Sequence, residues 1–301
     1  MTPPFVASAR YEVDIGPHVF PTAKYRLVRE RLLARGLARP EDFAEPPMPS
    51  EVDLRRAHAA EYLDDLRHLR PTWRTIYSEL PLTRAIVEGF TLAAGGTLLA
   101  ARNALESGAA LHLGGGLHHA FADRAEGFCY VNDVAVAAHA LLAEGRAARA
   151  AVIDCDVHQG NGTARIFAED ATVFTFSIHQ EWNYPVKEQS DLDIGLEDGV
   201  GDAEYLAHLD REVPRILDRE RPNVVFYLAG ADPYVEDQLG GLALTKAGLR
   251  ERDRRVLAWC RERGIPVAVT LAGGYAARLD DTVAIHEATA EEVLRALRRL
   301  P

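Results

Sequence analysis

Asp154-Cys155-Asp156-Val157-His158-Gln159-Gly160-Asn161-Gly162 is the stretch on which the reading of this 301-residue chain turns. The apolar run Ala150 to Ile153 in front of it predicts a buried parallel strand. Side chains alternate faces along an extended segment, so Asp154, Asp156 and His158 are expected on one side of the strand end. Two carboxylates and an imidazole leaving a buried strand together form a metal-ligand pattern. Their oxygen and nitrogen donors suit zinc or another divalent transition metal better than magnesium or calcium. The plainer alternative is a strand end leading into a helix, with Asn161 as the helix cap.

Composition narrows the setting. With 48% hydrophobic residues the chain can bury a large core, and we expect one α/β domain over residues 1–301. Cys129, Cys155 and Cys260 are far apart and form no CxxC pair. That argues against a disulfide framework and a thiolate metal site, and fits a reducing cytoplasm. Met1-Thr2-Pro3-Pro4 does not start like a signal peptide, and no apolar run reaches membrane-spanning length. A cytoplasmic location without a membrane partner is therefore expected. The net charge of -11 speaks against a phosphate-binding surface, hence against nucleic acid as a partner.

Helices are predicted over 24–35, 51–69 and 82–106, the last broken or closely packed at Gly95-Gly96. Strands follow at 109–113, 150–153, 172–178, 224–228 and 266–271. They alternate with helices near 132–144, 160–168, 202–219 and 245–263, and a final helix near 280–300. Such alternation implies a parallel sheet covered on both faces. Ligands bind beyond the carboxyl ends of such strands. Five strand ends here run into polar residues: Gly114-Gly115-Gly116-Leu117-His118-His119, Asp154 to His158, Ser177 to His179, Gly230-Ala231-Asp232, and Gly273-Gly274-Tyr275. Their convergence on one rim predicts an active site.

Asp156, His158 and Asp232 would make a three-ligand site with a position left open, as in catalytic zinc sites. His118 and His119 are adjacent, so their rings should diverge; proton transfer suits them better than shared metal ligation. Asp154 and Asn161 are the expected partners that orient them. Tyr275, after a glycine pair, can donate a hydrogen bond to an oxyanion, and Gly127-Phe128 with Trp182 to Pro185 can wall an apolar substrate stem.

These motifs together with Arg124-Ala-Glu-Gly-Phe-Cys-Tyr-Val-Asn-Asp133 resemble the zinc-dependent histone deacetylase superfamily, in order and spacing from His18 to the last helix. His18-Val-Phe-Pro21, Asp123-Arg124 and Asp237-Gln-Leu-Gly-Gly241 look most like its class IV branch and bacterial relatives. The resemblance implies the arginase/deacetylase fold, a single domain with a mostly parallel sheet of about eight strands between helical layers. It implies zinc, with iron(II) as the alternative, on Asp156, His158 and Asp232. It makes His118 and His119 the dyad, with His119 as general base and acid, and Tyr275 the oxyanion donor. It assigns Gly127, Phe128, Tyr184, Leu239 and Gly273 to the substrate tunnel, and Asp154 with Ser177 to a structural potassium ion. Asn161 stands where class I enzymes carry an aspartate, so His119 should be less basic here.

The implied reaction is hydrolysis of N-acylated lysine or a related amide. Acetylpolyamines and other small amides or esters are the alternative substrates; Leu239 at the position of the polyamine branch's acidic gatekeeper favours an uncharged chain. An arginase-type two-metal site would need acids where Gly160 and Tyr234 stand. A binding module without catalysis would not need the full set of ligands, dyad and tyrosine.

Overall fold

The computed structural model describes residues 2–298. Its strands are β1 (Phe5–Val6), β2 (Phe43–Ala44), β3 (Ala109–His112), β4 (Ala150–Asp154), β5 (Val173–Gln180), β6 (Leu192–Leu196), β7 (Val224–Leu228) and β8 (Val267–Thr270). They form one sheet in the order β2-β1-β3-β8-β7-β4-β5-β6, and every pairing is parallel. The expected sheet of about eight mostly parallel strands is thus eight strands, all parallel. Every residue of β3, β4, β7 and β8 is buried, as continuous apolar runs in a sheet covered on both faces require.

All five predicted strands form within two residues of their expected bounds, and three more join them. The chain carries little local sign of β1 and β2, which are two residues each, or of β6, an edge strand reading Leu-Asp-Ile-Gly-Leu. Pairing with a neighbour, not propensity, makes these strands.

The helices are α1 (Lys24–Ala34), α2 (Glu51–Ala57), α3 (Ala60–Arg67), α4 (Arg84–Ser107), α5 (Asp133–Ala143), α6 (Asn161–Phe167), α7 (Asp202–Glu220), α8 (Lys246–Glu262) and α9 (Leu279–Ala296). Two expectations need correction. The helix predicted over 51–69 is two helices, because His58 leaves the helical conformation and turns its ring inward. Asn161 is the first residue of α6 and not its cap, which is Gly160. The helix over 82–106 is continuous: Gly95 keeps α4 close to the Pro47 carbonyl, where a Cβ would collide. The last helix ends at Ala296; Leu300 lies outside the described residues. No helix among the described residues is long and apolar enough to cross a membrane.

The four central strands, β3, β8, β7 and β4 in spatial order, deliver the polar loops to one rim. His58 helps anchor that rim from below. Its Nδ1 lies 2.9 Å from the Phe121 carbonyl oxygen, and the Asn132 N–H donates to its Nε2 at 3.0 Å, so the ring is held neutral with the proton on Nδ1. Burial pushes the His58 imidazole down to about 4, against about 6.5 in an unfolded chain.

Above about pH 6.5 the ring is neutral in both states and imposes no pH dependence. As the pH falls from about 6.5 to about 4, the unfolded chain takes up a proton that the folded protein refuses. Stability should therefore drop across that window, by about 3 kcal/mol at full effect. Urea unfolding of wild type and His58→Gln as a function of pH checks this. The variant should show a shallower acid slope, and parallel curves would remove His58 as the cause.

Candidate active site

The first rim element follows β3. Gly115 and Gly116 adopt left-handed backbone at φ 68° and 78°, a conformation glycine takes without steric cost. The Asp133 carboxylate, at the start of α5, accepts the N–H groups of Gly116 at 3.0 Å and Leu117 at 2.6 Å, and also the Thr97 hydroxyl. This clamp aims His118 and His119 into the rim. The expectation that adjacent rings diverge does not hold. Their Nε2 atoms lie 3.1 Å apart and the ring centroids 4.1 Å, because the bent backbone brings both side chains to one side.

The two imidazoles have opposite surroundings. His118 Nδ1 is 2.6 Å from Asp154 Oδ2. Burial disfavours charge on His118, but the Asp154 and Asp156 carboxylates outweigh it and raise the imidazole to about 9. His119 Nδ1 faces the neutral Asn161 Oδ1 at 2.9 Å. Burial, then the positive His118 and His158, hold His119 well below the usual imidazole range. A proton on His118 Nε2 can be donated to the free Nε2 of His119. His119 is thus the neutral member of the pair and His118 the charged one.

The second element is the turn after β4. The strand ends at Asp154, and the following residues curl instead of continuing extended: Asp154 Oδ1 accepts the Asp156 N–H at 3.1 Å and Asp156 Oδ1 accepts the His158 N–H at 3.0 Å. Asp154 therefore stands behind Asp156 and His158, although simple alternation would put all three on one face. Asp232 arrives after β7 and completes a buried trio with Asp156 and His158. One donor atom from each lies within 4.8 Å of the others, and no other such group of three occurs among the described residues. His158 Nδ1 is 3.2 Å from Asp156 Oδ1 and 3.4 Å from Asp232 Oδ2.

The trio suits a divalent cation. Asp232 Oδ2 is buried and accepts no hydrogen bond among the described residues. Although burial opposes it, the flanking carboxylates push the His158 imidazole up to about 10, so the site stabilises a positive charge at that nitrogen. Gly273 leaves the space clear, since a Cβ there would run into Asp232 Oδ2.

Above the trio opens a cavity of about 240 Å³ lined by Glu79, His119, Gly127, Phe128, His158, Asn183, Tyr184, Leu239 and Tyr275. Phe128 and Tyr184 line it from different loops, and His18 packs edge-on against Phe128 at 4.7 Å. Burial keeps the Tyr275 phenol well above its usual range, so it stays a protonated donor. Two expectations shift. Gly273 does not line this cavity; its N–H donates to Asp156 Oδ2 at 2.7 Å and it borders a separate inner void of about 20 Å³. Four strand ends, not five, feed the rim. Ser177 and His179 lie inside the longer β5, where Ser177 Oγ and His179 Nδ1 are 2.9 Å apart. Ser177 pairs in register with Asp154 across the sheet.

Sequence reasoning missed three contributors. Glu79 reaches the cavity from the loop before α4, with no motif around it. Asp237 accepts the N–H groups of Leu239 at 2.9 Å and Tyr275 at 2.7 Å, tying two walls together. Lys24 is fully buried, donates from Nζ to the Ala272 carbonyl at 2.6 Å and lies 5.7 Å from the Tyr275 ring centroid.

Residues 18–290 match the histone deacetylase domain family. The chain is 42% identical over 272 residues to an uncharacterized protein of Picosynechococcus sp., covering 89% of this chain and 90% of that one. It is 30% identical to histone deacetylase 2 of Arabidopsis thaliana, over 86% of this chain and 70% of the relative. The crystal structure of acetylpolyamine aminohydrolase from Burkholderia pseudomallei shares the fold, with TM-score 0.78 at 21% identity over 96% and 98% of the two chains. A family match over residues 18–290, joined to 30% identity with a histone deacetylase over most of the chain, makes this protein a member of the histone deacetylase family.

Proposed function

We propose that the protein is a zinc-dependent amidohydrolase that removes acyl groups from N-acylated lysine. The observation that carries this reading is that one cavity is lined at once by His119, His158 of the trio, Tyr275 and apolar walls. Asp156, His158 and Asp232 would hold the metal, and their mixed oxygen and nitrogen donors favour zinc, with iron(II) as the alternative. Bound there, the metal supplies Lewis acidity and lowers the pKa of a water it holds.

The chain's own groups do the rest. His119 takes the proton of the attacking water at Nε2, giving up the hydrogen bond it accepts there from His118, and returns that proton to the leaving amine, while charged His118 stays fixed by Asp154. Tyr275 donates its phenolic hydrogen to the oxygen that becomes negative as the carbonyl is attacked. Phe128 and Tyr184 flank the acyl-lysine stem, with Gly127 giving it room and Leu239 closing the rim. Gly273 acts through Asp156. The same reading assigns a structural potassium ion to Asp154 and Ser177. Asn161 and the short loops support a place near the class IV branch, and three buried free cysteines support a reducing cytoplasm.

A specific observation supports a second substrate class. Leu239 argues for an uncharged chain, but the Glu79 carboxylate lines the same cavity and can accept either a peptide N–H or a polyamine ammonium. Peptides carrying acetyl- to myristoyl-lysine, assayed beside acetylspermidine, decide between them. Faster turnover of acyl-lysine is expected; the reverse order would move the substrate to small polyamines, and no hydrolysis of any amide would end the reading.

Elemental analysis of the purified protein should find one tightly held divalent ion per chain, chelation should abolish turnover, and Asp232→Ala should lose the ion. A variant that kept both ion and turnover would refute the ligand set. Tyr275→Phe should keep fold and metal and lower kcat by roughly 10²–10³, the usual cost of removing one oxyanion donor. KM should change far less, because the hydrogen bond strengthens in the transition state. Unchanged kcat would make Tyr275 a wall only.

A further inference from the structure

We propose that Glu126 is a positioning residue for proton transfer: it fixes which end of the Asn161 amide faces His119, and so which nitrogen of His119 is free. The proposal rests on His119 being the proton carrier in the amide hydrolysis described above. An asparagine can present either its oxygen or its NH2 group, and the choice decides the neighbour's tautomer. Here Asn161 Nδ2 donates to Glu126 Oε1 at 2.7 Å, with a longer contact to the Val186 carbonyl at 3.5 Å. A carboxylate accepts and cannot donate, so the NH2 group must face Glu126.

The Asn161 oxygen is then left to accept from the Gly162 N–H at 3.0 Å and from His119 Nδ1 at 2.9 Å. His119 must carry its hydrogen on Nδ1, which leaves Nε2 open toward His118 and the cavity. The flipped amide would demand the other tautomer and block that nitrogen. The carboxylate also polarises the amide between it and the imidazole. It thus supplies, one residue removed, part of the negative charge that an aspartate at position 161 would supply directly.

Glu126 is itself held in place. Arg124 Nε lies 3.4 Å from Glu126 Oε2, and the Arg124 guanidinium packs over the Phe121 ring at 3.5 Å. Mutual backbone hydrogen bonds join Glu126 and Cys129, closing the tight turn that also carries Gly127 and Phe128. Glu126 therefore links the cavity wall to the dyad.

The test combines kinetics on an acetyl-lysine peptide with nitrogen NMR of histidine-labelled protein. Glu126→Ala should lower kcat about tenfold, a fraction of the ~10²–10⁴ that a general acid–base group contributes, with KM unchanged. Glu126→Gln retains an acceptor oxygen but can also donate and carries no charge, so its rate should fall between those of wild type and Glu126→Ala. In an Asn161→Asp background the effect should change sign, since two carboxylates would then meet where one hydrogen bond stood, and Glu126→Ala should raise kcat. An equal loss in both backgrounds would mean a merely structural role and would overturn the proposal.

The NMR readout does not need turnover. Wild-type His119 should be protonated on Nδ1, and Glu126→Ala should give a tautomer mixture. An unchanged tautomer would overturn the proposal even if the protein hydrolysed every amide offered. Failure of the wild type to hydrolyse any amide would instead count against the functional reading and leave the tautomer result to decide this one.

Discussion

The structure is organised around two carboxylates and one imidazole, Asp156, Asp232 and His158, buried together beyond the carboxyl ends of the central strands β4 and β7. Bringing two negative groups out of water is costly unless donors and a cation compensate. The fold supplies the donors from its backbone. Gly273 and His158 N–H groups reach Asp156, and the Val157 N–H reaches Asp232 at 3.0 Å. Each donor comes from a loop that also carries or flanks a site residue. The same hydrogen bonds that offset the desolvation therefore set the spacing of the site.

Behind this layer the loops are tied down by a second set of buried charges. Arg252 on α8 is fully buried; its Nη1 donates to the carbonyls of Gly230 at 2.7 Å and Cys155 at 3.2 Å, within two residues of Asp232 and Asp156 respectively. Its partner Asp253 in turn accepts the hydroxyls of Tyr227 and Thr289 at 2.5 Å and 2.6 Å. A cation placed on carbonyls, beneath two acidic side chains, stiffens the rim without competing for the carboxylate oxygens of Asp156 and Asp232. The Asp133 clamp on the Gly116 and Leu117 N–H groups does the same for the dyad loop.

The dyad shows how one local difference separates two chemically identical side chains. His118 has a carboxylate behind it and His119 an amide, and the imidazole basicities part accordingly. A pair of titratable groups pushed apart in this way is what acid–base chemistry near neutral pH requires. With only an amide behind it, His119 is kept neutral by burial and by the positive His118 and His158.

The sequence alone determined the central strands, the loops at their carboxyl ends and the identity of the trio, dyad and tyrosine. Short apolar runs alternating with helices fit strands buried on both faces, and polar residues directly after them then fall at the rim. Tertiary structure decided what depends on neighbours distant in the chain. The short strands β1 and β2 and the edge strand β6 exist because a partner strand offers hydrogen bonds. The break at His58 comes from two partners more than sixty residues away. Glu79 from a loop without a motif, Asp237 by accepting backbone N–H groups of two walls, and Lys24 from the start of α1 join the site through contacts that only the fold creates. The curl after Asp154, which places that residue behind the trio, follows from side chains accepting backbone N–H groups two residues on, a local choice that strand periodicity does not encode.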